Sequence, residues 1–209
     1  MRITDHLAHW ARANKITKEE IVTRIVAVMS AHKNLLRKER TKALLQKIDD
    51  IHNEQDQSQI SCRAGCSFCC HQPIRVVQEE MEILMDYIKD NNIQVDLERL
   101  ELQNRLAPGE YFEYPDEESA CVLLGDDGRC RVYEARPASC RNYHVTTPPE
   151  NCKNKHKTDR DNYPVNIGIN GEAQFTACAL YNLSEAPTGI LAQELYKRLV
   201  PKEDDDYEV

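Results

Sequence analysis

The sequence predicts a mainly α fold with one small β-hairpin, its helices standing around a cysteine-rich loop core. Three observations lead there. Apolar residues recur at three-to-four spacing over several stretches free of proline and glycine. A single Gly-Asp-Asp-Gly run, residues 125–128, offers one tight turn between short apolar segments. The cysteines gather in loop sequence between the helical stretches rather than on their apolar faces.

Taken in order, residues 1–14 carry Asp5, His6 and His9 among apolar residues and lack the apolar core of a signal peptide. Thr17 and Glu20 have the spacing of a capping box. Ile21, Ile25, Val28, Met29, His32, Leu35 and Leu36 follow, and the pattern resumes at Leu44, Leu45, Ile48 and Ile51. With no breaker between them, one long amphipathic helix is expected over residues 18–52. Its outer face carries Lys33, Arg37, Lys38, Arg40, Lys42 and Lys47. Such a basic face is either solvated or a docking surface for an acidic protein partner.

Residues 53–61 read as a polar linker. A second helix is expected over 78–90, with Met81, Leu84, Met85 and Ile88 on one face, and a third over 97–106, capped by Asp96 and stopped by Pro108-Gly109. Residues 110–118 form an acidic, aromatic loop. The hairpin spans 121–131. Residues 145–164 are polar and irregular, 165–169 a short strand before the Asn170-Gly171 turn, and 188–200 a last helix with Ile190, Leu191, Leu195 and Leu199 apolar. The division expected is a helical extension at 1–57, a cysteine-cluster domain at 58–200 and an acidic, disordered tail at 201–209.

The chain has 209 residues, which fits one domain with extensions. Its net charge of −8 argues against a general nucleic-acid binder. No apolar run near the start approaches bilayer length, so no membrane association is expected and a cytoplasmic location is. Thiols stay reduced there, and nine cysteines then need a reason. Burial as small hydrophobes explains one or two scattered residues. It does not explain Cys62, Cys66, Cys69 and Cys70 bracketed by Arg63, Ser67 and His71. The odd count argues against a disulfide framework.

Metal ligation does explain them. Gaps of two and three residues let one loop wrap an ion and turn several thiolates inward, and Gly65 permits the sharp bend. Cys69 and Cys70, being adjacent, either serve different ions or split the roles of ligand and core residue. Downstream, the hairpin brings Cys121 to Cys130, and the turn at Pro137 brings Cys140 near them. Seven thiolates exceed one closed zinc site, and two sites would need eight ligands, or seven with one shared, substituted or open position. His71, His144, Cys152 and Cys178 are the reserves, although Cys178 lies in an apolar stretch that reads as core. Four thiolates around a divalent ion leave net negative charge, which Arg136 and Arg141 are placed to offset.

The run Cys62-x3-Cys66-x2-Cys69-Cys70, followed by Cys121, Cys130-Arg-Val-Tyr133-Glu-Ala-Arg136-Pro137-x2-Cys140-Arg141-Asn-Tyr143, resembles the YkgJ-type cysteine-cluster family, the zinc- or iron-chelating CxxCxxCC domain. The first gap is three residues here rather than two, and Val122 follows Cys121 where the family often has proline. The resemblance covers about residues 61–143. It implies metal ligation by Cys62, Cys66, Cys69, Cys70, Cys121, Cys130 and Cys140.

Two functions follow from a thiolate-rich centre. A structural or storage protein would use zinc to organise loops too poor in apolar residues to fold alone. A metalloenzyme would use iron, or an iron–sulfur cluster, with an open coordination position for redox chemistry. The Cys62-x3-Cys66-x2-Cys69 spacing also resembles the cluster loop of radical S-adenosylmethionine enzymes, though the chain shows no repeated strand–helix pattern for their barrel. No phosphate loop, dinucleotide fingerprint or Ser-His-Asp set offers other chemistry.

Overall fold

A computed structural model of the protein describes residues 1, 5–153, 171–184 and 189–200. The described residues are mainly helical: α1 (Asp5–Ala13), α2 (Lys18–His32), α3 (Arg37–Asn53), α4 (Gln78–Asp90), α5 (Leu97–Arg105), α6 (Asp116–Ser119), α7 (Ala138–Arg141), α8 (Gly171–Leu183) and α9 (Leu191–Leu199). They contain one two-stranded antiparallel sheet, β1 (Arg75–Val76) against β2 (Gly189–Ile190), with Arg75 opposite Ile190 and Val76 opposite Gly189. Among these residues no helix is long and apolar enough to cross a membrane.

Local sequence accounts for the starts of α2 and α5. Thr17 Oγ1 accepts the Glu20 N–H and the Glu20 carboxylate accepts the Thr17 N–H, closing the capping box that starts α2. Asp96 caps α5 by accepting the Arg99 N–H at 3.0 Å. The long helix expected over 18–52 is instead two. It breaks at residues 33–36, where Leu36 turns extended and stands 80% exposed. Neither proline nor glycine causes the break. α2 and α3 both pack on α8, and α3 is held on α4 by ion pairs from Arg37 to Glu79 and from Lys38 to Asp86. A straight rod could not keep both apolar faces on those supports, so tertiary packing overrides propensity.

α8 is the central element and was not expected as a helix. Ala173, Gln174, Phe175, Thr176, Ala177, Cys178, Ala179 and Leu180 are all buried, so it shows no amphipathic stripe. One face meets Leu7, Ala11, Ile21 and Ile25 of α1 and α2, and Trp10 stands edge-on to Phe175. Its other side meets Leu44, Leu45 and Ile48 of α3 with Ala138 of α7. A third cluster joins α4, α5, α9 and the 121–135 loop through Met81, Leu84, Leu100, Val122, Leu123 and Leu195.

Two further expectations need correction. The hairpin over 121–131 is a turn closed by a single bridge, Leu124 to Cys130, and not a pair of strands. The last helix starts at Leu191 rather than residue 188, because Gly189 and Ile190 pair with β1. The strand expected at 165–169 and the tail at 201–209 lie outside the described residues.

Glu80 locks the fold around the site. Its carboxylate accepts the Val77 N–H at 2.9 Å and the Ala138 N–H at 2.7 Å, tying the start of α4 to the start of α7. Burial outweighs these donors and Arg141, and pushes the carboxyl up to about 7. The folded state therefore binds a proton that the unfolded chain has already released. Stability should fall as pH rises from about 4.5 through 7 and level off above, by about 3 kcal/mol for such a shift. Urea unfolding of wild type and Glu80→Gln across that range checks it. The difference between the two should carry the slope, and parallel curves would remove Glu80 as its source.

Candidate metal centre

The upstream half of the centre is a short irregular loop ending in a 3-10 turn, Phe68–His71. Gly65 adopts φ +87 at its bend, and the Cys66 N–H closes onto Arg63 O at 2.9 Å. The downstream half is the turn at residues 125–128 followed by a 3-10 turn, Tyr133–Ala135, and α7. The Gly125 N–H donates to Arg129 O and the Arg131 N–H to Leu123 O, which holds Cys121 and Cys130 at the base of one loop.

Backbone contacts join the halves. The Cys121 N–H donates to Cys70 O at 2.8 Å. Gly128, at φ +74, lies so close to the first loop that a Cβ there would stand 3.1 Å from Gly65 O. The Ser61 N–H donates to Val145 O, and Cys62 Sγ lies 4.0 Å from Tyr143 O.

The seven expected cysteines are all free thiols and neither fully buried nor exposed. Burial is the main cause that raises the thiols of Cys62, Cys66, Cys121, Cys130 and Cys140, with Cys121 at about 11. Cys70 is raised first by its hydrogen bond with Cys69 and then by burial. In all six, a charge on Cys69 adds to the rise. The two halves are therefore close enough for their thiols to disfavour one another's charge.

Amide and arginine groups act in the opposite direction. Backbone hydrogen bonds from Val145 to Cys62, Phe68 to Cys66, Leu123 to Cys121 and Val132 to Cys130 favour the thiolates. In three of these the amide sits two residues after the cysteine, so the same local turn presents sulfur and supports its charge. Arg63 favours the Cys62 thiolate, Arg131 those of Cys121 and Cys130, and Arg136 those of Cys130 and Cys140. Arg136 also stacks on the exposed Tyr133 ring, its Cζ 3.5 Å from the centroid. The hydrogen bonds of Arg141 go to other groups, although the Cys140 sulfur still favours its charge. Its guanidinium pairs with Asp49 and donates to Arg136 O and Glu134 O.

The reserves separate cleanly. Cys178 is fully buried in the α1–α2–α8 cluster, as the apolar stretch predicts. Cys152 is buried in a 3-10 turn, Pro149–Cys152, that packs on the Phe68–His71 turn. His71 Nδ1 lies 3.2 Å from Ser67 O. His144 faces His52, and burial, then His52 and Arg136, pull it down to about 4. Beside Cys121 lies a cavity of about 20 Å³ bordered by Gln72, Gln103, Tyr111 and Leu195.

Among the described residues no three Cys, His, Asp or Glu side chains stand as a ready-made metal cage. The fit to a metal rests on donor chemistry: soft sulfur donors within reach of one another's charge, four with amides behind them and arginines around them. Such a set suits zinc or iron. Residues 61–164 match the model of the CxxCxxCC family, whose description reads "Putative zinc- or iron-chelating domain". No curated protein and no solved structure matches the chain.

Proposed function

The chain belongs to the CxxCxxCC family through residues 61–164, a domain described as zinc- or iron-chelating, and from that premise we propose that its metal is zinc, bound as a structural element. The proposed ligands are Cys62, Cys66, Cys69, Cys70, Cys121, Cys130 and Cys140, divided between two ions with Cys69 common to both. The observation that supports this reading most is the backbone contact between the two cysteine groups, the Cys121 N–H on Cys70 O at 2.8 Å, next to Cys69. A divalent ion supplies the positive charge that these buried sulfurs need to ionise, and its binding energy then becomes folding energy. A reducing compartment such as the cytoplasm is the setting in which nine thiols persist.

One observation favours a second reading. The cavity that Cys121 helps to line has room for about one water molecule, and an open coordination position facing it would suit a redox centre with iron or an iron–sulfur cluster. A barrel of the radical S-adenosylmethionine type is not carried forward, since the sheet among the described residues has two strands.

An acidic protein partner on the basic helical face is also proposed with less surface than the sequence offers. Arg37, Lys38 and Lys42 are already paired with Glu79, Asp86 and Glu39, and Arg40 donates to Leu183 O.

Metal and acid-labile sulfide analysis of protein purified without air tests the assignment. About two zinc ions per chain with no sulfide would support it. Iron with sulfide would overturn it in favour of the redox reading. Cys178→Ser is the control: it should keep the full metal content while costing about 1–2 kcal/mol of stability for a hydroxyl buried in an apolar site.

A further inference from the structure

Buried polar atoms normally carry a hydrogen bond, and those that do not mark a water, an ion or a functional group. Among the described residues five buried side-chain atoms have none: His52 Nδ1, Gln55 Oε1, Arg131 Nε, His144 Nδ1 and Thr147 Oγ1. Four of the five come from two short segments, residues 52–55 at the end of α3 and residues 144–147. The two imidazoles join those segments, their ring centroids 4.3 Å apart and their planes at 73°. Ser61 fixes the second segment next to them, with its N–H on Val145 O and its Oγ on Thr146 O.

The tautomer of His52 follows from its neighbours. Asn142 Nδ2 donates to Ala173 O, which directs Oδ1 to His52 Nε2 at 2.9 Å. An amide oxygen only accepts, so Nε2 holds the proton and Nδ1 keeps its lone pair. A histidine oriented through its far nitrogen by an oxygen acceptor has the arrangement of a metal ligand. His52 is 6% exposed, which removes bulk water as the ordinary partner of that lone pair.

We propose that His52 and His144 form a metal site separate from the cysteines, taking one zinc-class transition ion through imidazole nitrogen, with Gln55 Oε1 and Thr147 Oγ1 on its oxygen side. Mixed nitrogen and oxygen donors suit zinc, copper and nickel, whereas the thiolate centre selects softer chemistry. The site joins the end of α3 to the segment that follows α7, so an ion there would clamp the helical part of the fold to the cysteine loops.

Zinc is the probe, on the full chain. With the cysteines saturated, wild type should bind one more zinc ion than the His52→Gln/His144→Gln double variant. The cobalt-substituted forms of both should show the same sulfur-to-cobalt charge-transfer absorption. Because the variant also loses the Asn142 bond and could fold poorly, nitrogen-15 NMR of wild type gives a second reading. Added zinc should move one ring nitrogen of His52 and one of His144. Equal zinc content, or ring nitrogens that zinc leaves unmoved, would overturn the proposal and assign the pocket to bound water only. Cys69→Ser keeps the two readings apart: loss of thiolate metal with a persisting histidine response would leave this site standing alone.

Discussion

Cys69→Ser is expected to release both thiolate-bound ions at once, whereas Cys62→Ser or Cys140→Ser should release one. Cys69 adjoins Cys70, whose carbonyl accepts the Cys121 N–H and so ties the first cysteine group to the second. In the proposed two-ion arrangement, removing a sulfur at the edge would leave one ion its complement, and removing the shared sulfur would leave neither. Structural zinc supplies roughly 10–16 kcal/mol of apparent binding energy in small domains, more than most domains hold in net stability. For a chain of this size, a net loss of several kcal/mol lowers the melting temperature by on the order of 10 °C. Metal content by mass spectrometry and calorimetric melting of the same samples are the measurements. Full metal content in Cys69→Ser would take the shared role away from it, and an equal loss in all three variants would mean a single site.

Asp49→Ala should destabilise the fold by about 3 kcal/mol and also weaken metal retention. The Arg141 side chain is 5% exposed and that of Asp49 28%. Removing the carboxylate strands a guanidinium in a buried site, and burial already disfavours its charge. The same guanidinium holds Arg136 O and Glu134 O, so it fixes the loop between Cys130 and Cys140. Loss of a group that orients ligands typically costs roughly 10- to 100-fold in metal affinity. Urea titration gives the first effect, and competition with a chromophoric chelator the second. Asp49→Leu combined with Arg141→Met should recover part of the stability, since apolar packing can replace a buried pair. Unchanged chelator competition in Asp49→Ala would reduce Arg141 to a purely structural residue.

What could be read from the sequence depended on whether the signal was local. α4 and α5 were legible because each exposes one face and buries the other, and Asp96 announces its cap. Thr17 and Glu20 likewise marked the start of α2. α8 was not legible, because a helix buried on every side has no polar face to set the period. The break at residues 33–36 was hidden for another reason: it answers to where α8 and α4 lie, not to any residue in the break. In the site, the two groups of cysteines were legible as clusters, and Cys178 as core. The Val145 amide behind Cys62, the bond from Cys121 to Cys70 and the pairing of Arg141 with Asp49 all depend on folding distant segments together. His52 carried no motif, and nothing in the chain between them linked it to His144.

The contact of Gly128 with Gly65, and the bond from the Cys121 N–H to Cys70 O, have a consequence for the order of events in biosynthesis. The first four cysteines leave the ribosome before α4 and α5, and the wall that covers them is made only afterwards. At ordinary elongation rates that interval lasts on the order of five seconds. Throughout it Cys62, Cys66, Cys69 and Cys70 stand on a nascent chain without the backbone that shelters them in the finished fold. An ion captured then has only half its final surroundings, and an oxidant meets four neighbouring thiols with nothing across from them. An ion delivered before Cys140 emerges would meet only the first group of cysteines, and one delivered afterwards would meet both.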